Sequence, residues 1–321
     1  MQTYKNILAC IGNTPLFQVN EFDTGLCELC LKLELLNPGG SIKDRMGLAM
    51  IEGAELRGDI KPGDTIVEAT AGNTGIALAL IAPRKGYELV LVIPDKMSRE
   101  KIDTLRAMGA EVVITGSGLA PDNPDYWHNR ARTIADERNG YFINQFDNPD
   151  NARAHEETTG PEIWQQMNEQ LDAVVVGAGS GGTVSGLSRY FAKAAPNVEL
   201  IIADPEGSVV ADYVNQHKSV SGGKWLVEGL GQDHLYPVTD LSYVKQAYKI
   251  NDKDSYQMSR QLLLKEGLMT GSSTGCLLTA ALRYCQAQTE PKRVVTFACD
   301  TGTRYTSKLY NDEWMKEQGF L

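Results

Sequence analysis

A chain of 321 residues is too long for one ordinary core and suits two domains. Hydrophobic residues make up 42% and charged residues 22%, a globular balance, while the net charge of −10 excludes a nucleic-acid partner, which needs clustered Lys and Arg. No apolar run reaches the roughly 20 residues of a membrane-spanning helix and the N-terminus lacks a signal-peptide stretch, so a cytoplasmic protein without membrane contact is expected.

In chain order, the first apolar run, residues 26–34, reads as a strand leading into a loop. It contains Cys27 and Cys30 at redox-motif spacing, but residues three apart on a strand point to opposite faces. These two, like the other four cysteines, are expected to be free thiols. The loop Leu36-Asn-Pro-Gly-Gly-Ser-Ile-Lys-Asp-Arg45 follows. Asn37 to Gly40 read as a turn, Ser41 as an N-cap, and Lys43 falls in the first helical turn. The positive end of a helix disfavours the ammonium form there, and only a neutral amine attacks an aldehyde.

The strand Thr65-Ile-Val-Glu68 runs into Ala69-Thr-Ala-Gly-Asn-Thr-Gly75, a loop that opens a helix. Its amides, with the hydroxyls of Thr70 and Thr74, form an anion cup suited to a carboxylate, and Asn73 adds a neutral donor. Strands at 88–93 and 111–115 continue the alternation, and Gln145-Phe-Asp-Asn-Pro149 breaks it at a hinge. Beyond the hinge, the strand Ala173-Val-Val-Val176 meets Gly177-Ala-Gly-Ser-Gly-Gly-Thr183, again at a helix start. This is a phosphate site, with Ser180 and Thr183 adding hydroxyls. Gly177, Gly179 and Gly182 also satisfy the dinucleotide fingerprint, with Asp204 at the end of the next strand, 199–203. A nicotinamide-dependent dehydrogenase is therefore the alternative reading of this segment. The last strand expected is 293–297. The histidines, His128, His155, His217 and His234, share no metal-ligand spacing and read as solvated or hydrogen-bonded, so no metal site is expected.

Apolar strands alternating with helices predict an α/β fold of two domains, each a mostly parallel sheet flanked by helices. Ligands of such sheets bind at the carboxyl ends of strands, where these glycine turns lie. The two anion loops, the lysine turn and Gly271-Ser-Ser-Thr-Gly275 together resemble the fold-type-II pyridoxal-phosphate (PLP) enzymes related to tryptophan synthase β, specifically the cysteine synthase and cystathionine β-synthase family. The resemblance runs from Ile11-Gly-Asn-Thr-Pro-Leu16 to Tyr310-Asn-Asp-Glu-Trp314.

It implies that Lys43 carries PLP as a Schiff base and that Asn73 contacts the cofactor's ring oxygen. Gly179, Ser180, Gly181, Gly182 and Thr183 would hold the phosphate, and Ser273 would face the pyridine nitrogen. Thr70, Ala71, Gly72, Asn73, Thr74 and Gln145 would bind the substrate carboxylate. It further implies a mobile domain of residues 44–147, a PLP-phosphate domain of 1–43 with 148–321, and a homodimer. A hydroxyl rather than a carboxylate at Ser273 leaves the ring nitrogen largely neutral and favours β-elimination and replacement. The segments 227–233 and 298–308 look more like cystathionine β-synthase, so condensation of serine with homocysteine is expected. Cysteine synthesis from O-acetylserine and sulfide, or sulfide release from cysteine, are the alternatives on the same site. Ala71 stands where many members have Ser, and Gln232 stands where the animal synthases are aromatic, which bears on the second substrate. Haem and adenosyl-nucleotide regulation are not expected in this chain.

Overall fold

The computed structural model describes residues 3–70, 72–95, 97, 99–120, 122–218 and 220–321. Its strands are β1 (Leu16–Gln18), β2 (Glu28–Lys32), β3 (Thr65–Ala69), β4 (Glu88–Pro94), β5 (Glu111–Thr115), β6 (Tyr141–Phe142), β7 (Ala173–Val176), β8 (Glu199–Pro205), β9 (Val244–Ile250) and β10 (Arg293–Phe297). The helices are α1 (Lys43–Arg57), α2 (Asn73–Ile81), α3 (Arg99–Ala107), α4 (Trp127–Glu137), α5 (Pro149–Ala154), α6 (Gly160–Gln166), α7 (Gly182–Ala194), α8 (Val210–Gln216), α9 (Asp252–Glu266), α10 (Ser272–Gln286) and α11 (Asp312–Glu317). The strands form two sheets, one of six in the order β1-β2-β10-β7-β8-β9 and one of four in the order β5-β4-β3-β6. All pairings are parallel except β1 with β2.

This is the α/β, two-sheet architecture expected from the alternation. The seven apolar runs picked out in the sequence contain strands, extended by a residue or two at β3, β4 and β8 and shortened at β2. The additional strands lie at sheet edges: β1, β6 and β9. In β9, Val-Lys-Gln-Ala-Tyr-Lys-Ile needs only one apolar face, so it lacks the continuous run of a central strand. Central β7, by contrast, is buried throughout. Fully buried Leu29, Phe191 and Phe297 belong to the core of the six-stranded sheet, each contributing about 1.5–3 kcal/mol relative to exposure. Strand β2 begins at Glu28, so Cys27 precedes it; all six cysteines are free, and Cys27 packs toward the Cys285 carbonyl.

Two features hold the site elements in place. A five-residue π-helical turn, His155–Thr159, joins α5 to α6. Behind α1 lies a buried ionic cluster. Arg45 forks onto Glu34 (Nε–Oε2 and Nη2–Oε1, both 2.8 Å) and onto Glu162 (Nη1–Oε1 and Nη2–Oε2, both 2.7 Å). Lys32, itself fully buried, adds a 2.7 Å bond to Glu162. No helix among the described residues is long and apolar enough to cross a membrane.

Candidate active site

The loops after β2, β3 and β7 lie at strand carboxyl ends, as expected for the glycine turns. Lys43, Asn73, Gly179, Ser180, Gly181, Thr183 and Ser273 line one cleft. Ile42, Glu228 and Cys299 share its wall.

Lys43 is the first residue of α1. The residue in the cap position is Ile42, not Ser41, but the Ser41 hydroxyl still accepts the Lys43 N–H at 3.2 Å. Burial in the cleft pulls the amine below the ordinary lysine range, with Cys299 and Asp300 acting in the opposite direction. Desolvation thus does the work that the sequence argument assigned to the helix end alone.

The loop before α7 is a backbone cradle. Gly181 has φ +96°, which L side chains rarely adopt, and a Cβ there would meet the Thr239 hydroxyl at 2.1 Å. A Cβ on Gly182 would meet Asn151 Oδ1 at 1.9 Å. From beneath, Asn151 Nδ2 donates to Ser180 Oγ at 3.0 Å, and the Thr183 hydroxyl pairs with His155 Nε2 at 3.2 Å. Burial first, then the charges of Arg45 and Lys43, hold the His155 imidazole well below its usual range, so it is neutral. The π turn after α5 begins at this histidine. Gln232 is fully buried and donates to the Gly179 carbonyl and the Thr239 hydroxyl, both at 2.9 Å. It supports the cradle from behind.

The residues read as a carboxylate cup gather beside the cleft. Thr74 Oγ1 donates to Gln145 Oε1 at 2.7 Å, and Thr70 Oγ1 accepts from Gly72 N at 3.3 Å. Ala71 lies outside the described residues. Glu68, which the sequence reading passed over, joins the two halves of the cup. Its carboxylate accepts the Ala69 N–H at 2.8 Å and the Gln145 N–H at 3.0 Å. Burial pushes this carboxyl up to about 7 despite those bonds.

Asn73 starts α2 and is held by the segment after β10. Its Nδ2 donates to Asp300 Oδ2 at 2.7 Å, and its Oδ1 accepts from Arg304. Tyr305 donates to the same Asp300 oxygen at 2.5 Å. These contacts bring the tail segment 298–308 onto Asn73. Asp204, by contrast, is a fully buried strand-end acid accepting the Ala211 N–H at 2.8 Å, outside the lining of this cleft. Ser273 sits in the first turn of α10, while its neighbours serve structure: Ser272 accepts from Glu228 N at 3.1 Å and Thr274 from Cys299 N at 3.0 Å.

These residues suit a phosphorylated aldehyde. A desolvated amine, an amide cradle that side chains would fill, and a second anion cup converge, and no metal-binding cluster of three or more His, Cys, Asp or Glu occurs among the described residues. Residues 7–300 match the family model described as pyridoxal-phosphate dependent enzyme. The chain is 42% identical over 322 residues to cystathionine beta-synthase of Mus musculus, covering 98% of this chain and 57% of that one. It is 39% identical over 325 residues to cysteine synthase 1 of Neurospora crassa, covering 99% and 86%. A solved structure of an O-acetylserine-dependent cystathionine beta-synthase from Helicobacter pylori superposes with a TM-score of 0.87 at 35% identity, covering 96% and 99%. The chain thus spans a little over half the length of the mouse protein.

Proposed function

The chain belongs to the pyridoxal-phosphate-dependent enzyme family, and from that premise we propose that it replaces the β-hydroxyl of serine with the thiol of homocysteine, giving cystathionine and water. The observation that carries this is the pairing, in one cleft, of the desolvated Lys43 amine with a Ser273 hydroxyl in place of a carboxylate. Residues 179–183 would hold the cofactor phosphate, and Asn73 its ring oxygen. The cofactor, when bound, supplies an imine link to the substrate amine and a conjugated electron sink.

The chain's residues do the rest. The cup of Thr70, Gly72, Thr74 and Gln145 holds the substrate carboxylate, and Glu68 keeps its two halves in register. Lys43 takes the Cα proton and passes one to the departing hydroxyl, which leaves as water as the Cβ–O bond breaks. The thiol then forms the Cβ–S bond, giving up its proton to Lys43, which returns one to Cα. Ser273 offers the ring nitrogen a hydroxyl, which limits delocalisation and favours loss from Cβ over transamination.

A second reading is replacement of the acetate of O-acetylserine, by sulfide or by homocysteine. The Neurospora cysteine synthase and the Helicobacter structure, whose description names that donor, support it. The test is the visible spectrum of the holoenzyme, recorded on adding serine and then homocysteine, beside O-acetylserine and then sulfide. A band that changes with serine and returns with homocysteine supports the first reading; a response to O-acetylserine alone supports the second. Lys43→Ala must lose turnover with both pairs, and normal turnover in that variant defeats both readings.

A further inference from the structure

We propose that Arg304 and Asp300 are positioning residues that fix the Asn73 amide with its nitrogen, never its oxygen, available to the cofactor cleft. This rests on the reading of Asn73 as a contact of the cofactor's ring oxygen. An asparagine amide has two ends of similar shape, and its partners decide which end faces where. Here the partners are unambiguous. Arg304 has only donors, so it faces Oδ1; Asp300 offers carboxylate oxygens, so it faces Nδ2. Turning the amide over would set NH2 against a guanidinium and an oxygen against a carboxylate. One N–H of Nδ2 is spent on Asp300, and the second is the donor left for the cleft that Asn73 lines. A ring oxygen carrying negative charge needs a donor there; the reversed amide would present it with a lone pair.

The clamp is itself held. Asp300 is 1% exposed, and Tyr305, 7% exposed, donates to the oxygen that binds Asn73. The other carboxylate oxygen, Oδ1, is buried without a partner, a costly arrangement off the core of the sheet. The backbone around Asp300 braces the approach to Lys43: Ile42 N donates to the Cys299 carbonyl at 2.9 Å and Thr301 N to the Gly40 carbonyl at 3.0 Å. Arg304 also donates to the Gly39 carbonyl. One short segment therefore sets both the lysine turn and the amide's orientation.

The experiment uses the holoenzyme without substrate and reads two quantities: the visible cofactor band between about pH 6 and pH 10, and the cofactor dissociation constant. Asp300→Ala and Arg304→Met, which remove the acceptor and the donor, are expected to displace the band and its titration in the same direction as Asn73→Ala, and to weaken cofactor binding roughly tenfold. Arg304→Lys, which keeps a donor, is expected to retain most of the parental band. Should Asp300→Ala lose its cooperative melt, Arg304→Met decides, since the parental side chain is only half-buried. Parental band and affinity in both variants overturn the proposal, even with a lowered melting temperature, because that pattern is purely structural support. An unchanged band in Asn73→Ala overturns the placement of Asn73 at the cofactor, and the proposal with it.

Discussion

Replacing Arg45 with methionine tests the buried cluster behind Lys43. Arg45 is 3% exposed, Glu34 0%, and the Glu162 side chain 14%, so solvent screens these charges little. Burial by itself would push the Glu162 carboxyl up; the bonds and charges of Arg45 and Lys32 outweigh it and hold the group at about 2, against an ordinary 4.5. That difference corresponds to about 3 kcal/mol of stability at neutral pH, in line with the roughly 3–5 kcal/mol lost when one partner of a buried pair is removed. Arg45→Met, which also strands Glu34, is therefore expected to melt roughly 6 °C below the parent at pH 7. The sign follows from the depressed pKa. The stabilisation is complete above about pH 4.5 and fades as pH falls toward 2, so the gap between parent and variant must narrow over that interval. Calorimetric melts of both holoenzymes at pH 7 and near pH 3.5 decide it. No gap at pH 7, or one undiminished in acid, refutes the reasoning.

Gly182→Ala, whose added Cβ collides with Asn151 Oδ1, is expected to weaken cofactor binding at least roughly tenfold in a PLP titration. Glu68→Gln can satisfy only one of the two N–H groups its carboxylate accepts; KM for the amino-acid donor should rise about tenfold with kcat far less affected. The same variant has a pH signature. Burial raises Asp44 from 3.8 to about 7, Glu68 from 4.5 to about 7 and Asp204 from 3.8 to about 6, so the stability tied to their protonated forms is full only below the lower values and is lost as pH rises to the upper ones. Melts of Glu68→Gln should decline less steeply than the parent's between about pH 4.5 and 7. Lys101→Ala breaks a 3.2 Å pair with Glu228 whose partners are 29% and 30% exposed, and should shift the melting temperature by no more than about 2 °C.

Much of the site could be read from the chain because its elements are local. Lys43, the loop of Asn73 and the cradle of 179–183 each sit at a helix start marked by glycines and hydroxyl residues, and all three line the cleft. What escaped the sequence reading depends on long-range packing. Asn151 reaches the cradle from α5 and His155 from the start of a π turn that no periodicity announces, and Glu68 reads as an ordinary strand end until Gln145 folds onto it. Asp300 had one local cue, its position just past the end of β10, but its partner Asn73 lies 227 positions earlier. The support that Gln232 gives the cradle is equally long-range, reaching Gly179 across 53 positions.

The order of strands also dictates an order of assembly. The four-stranded sheet draws on residues 65–142 alone, so a nascent chain can complete it early in synthesis. The six-stranded sheet has β10 wedged between β2 and β7, which leaves Glu28–Lys32 waiting for a neighbour translated some 260 residues later. Until that strand arrives, no sheet joins β2, which leads to the lysine turn, to β7, which leads to the glycine cradle. A ribosome-released chain ending near residue 290 is thus expected to form the smaller layer and to bind no cofactor, so the last strand made is the one that turns the polypeptide into a catalyst.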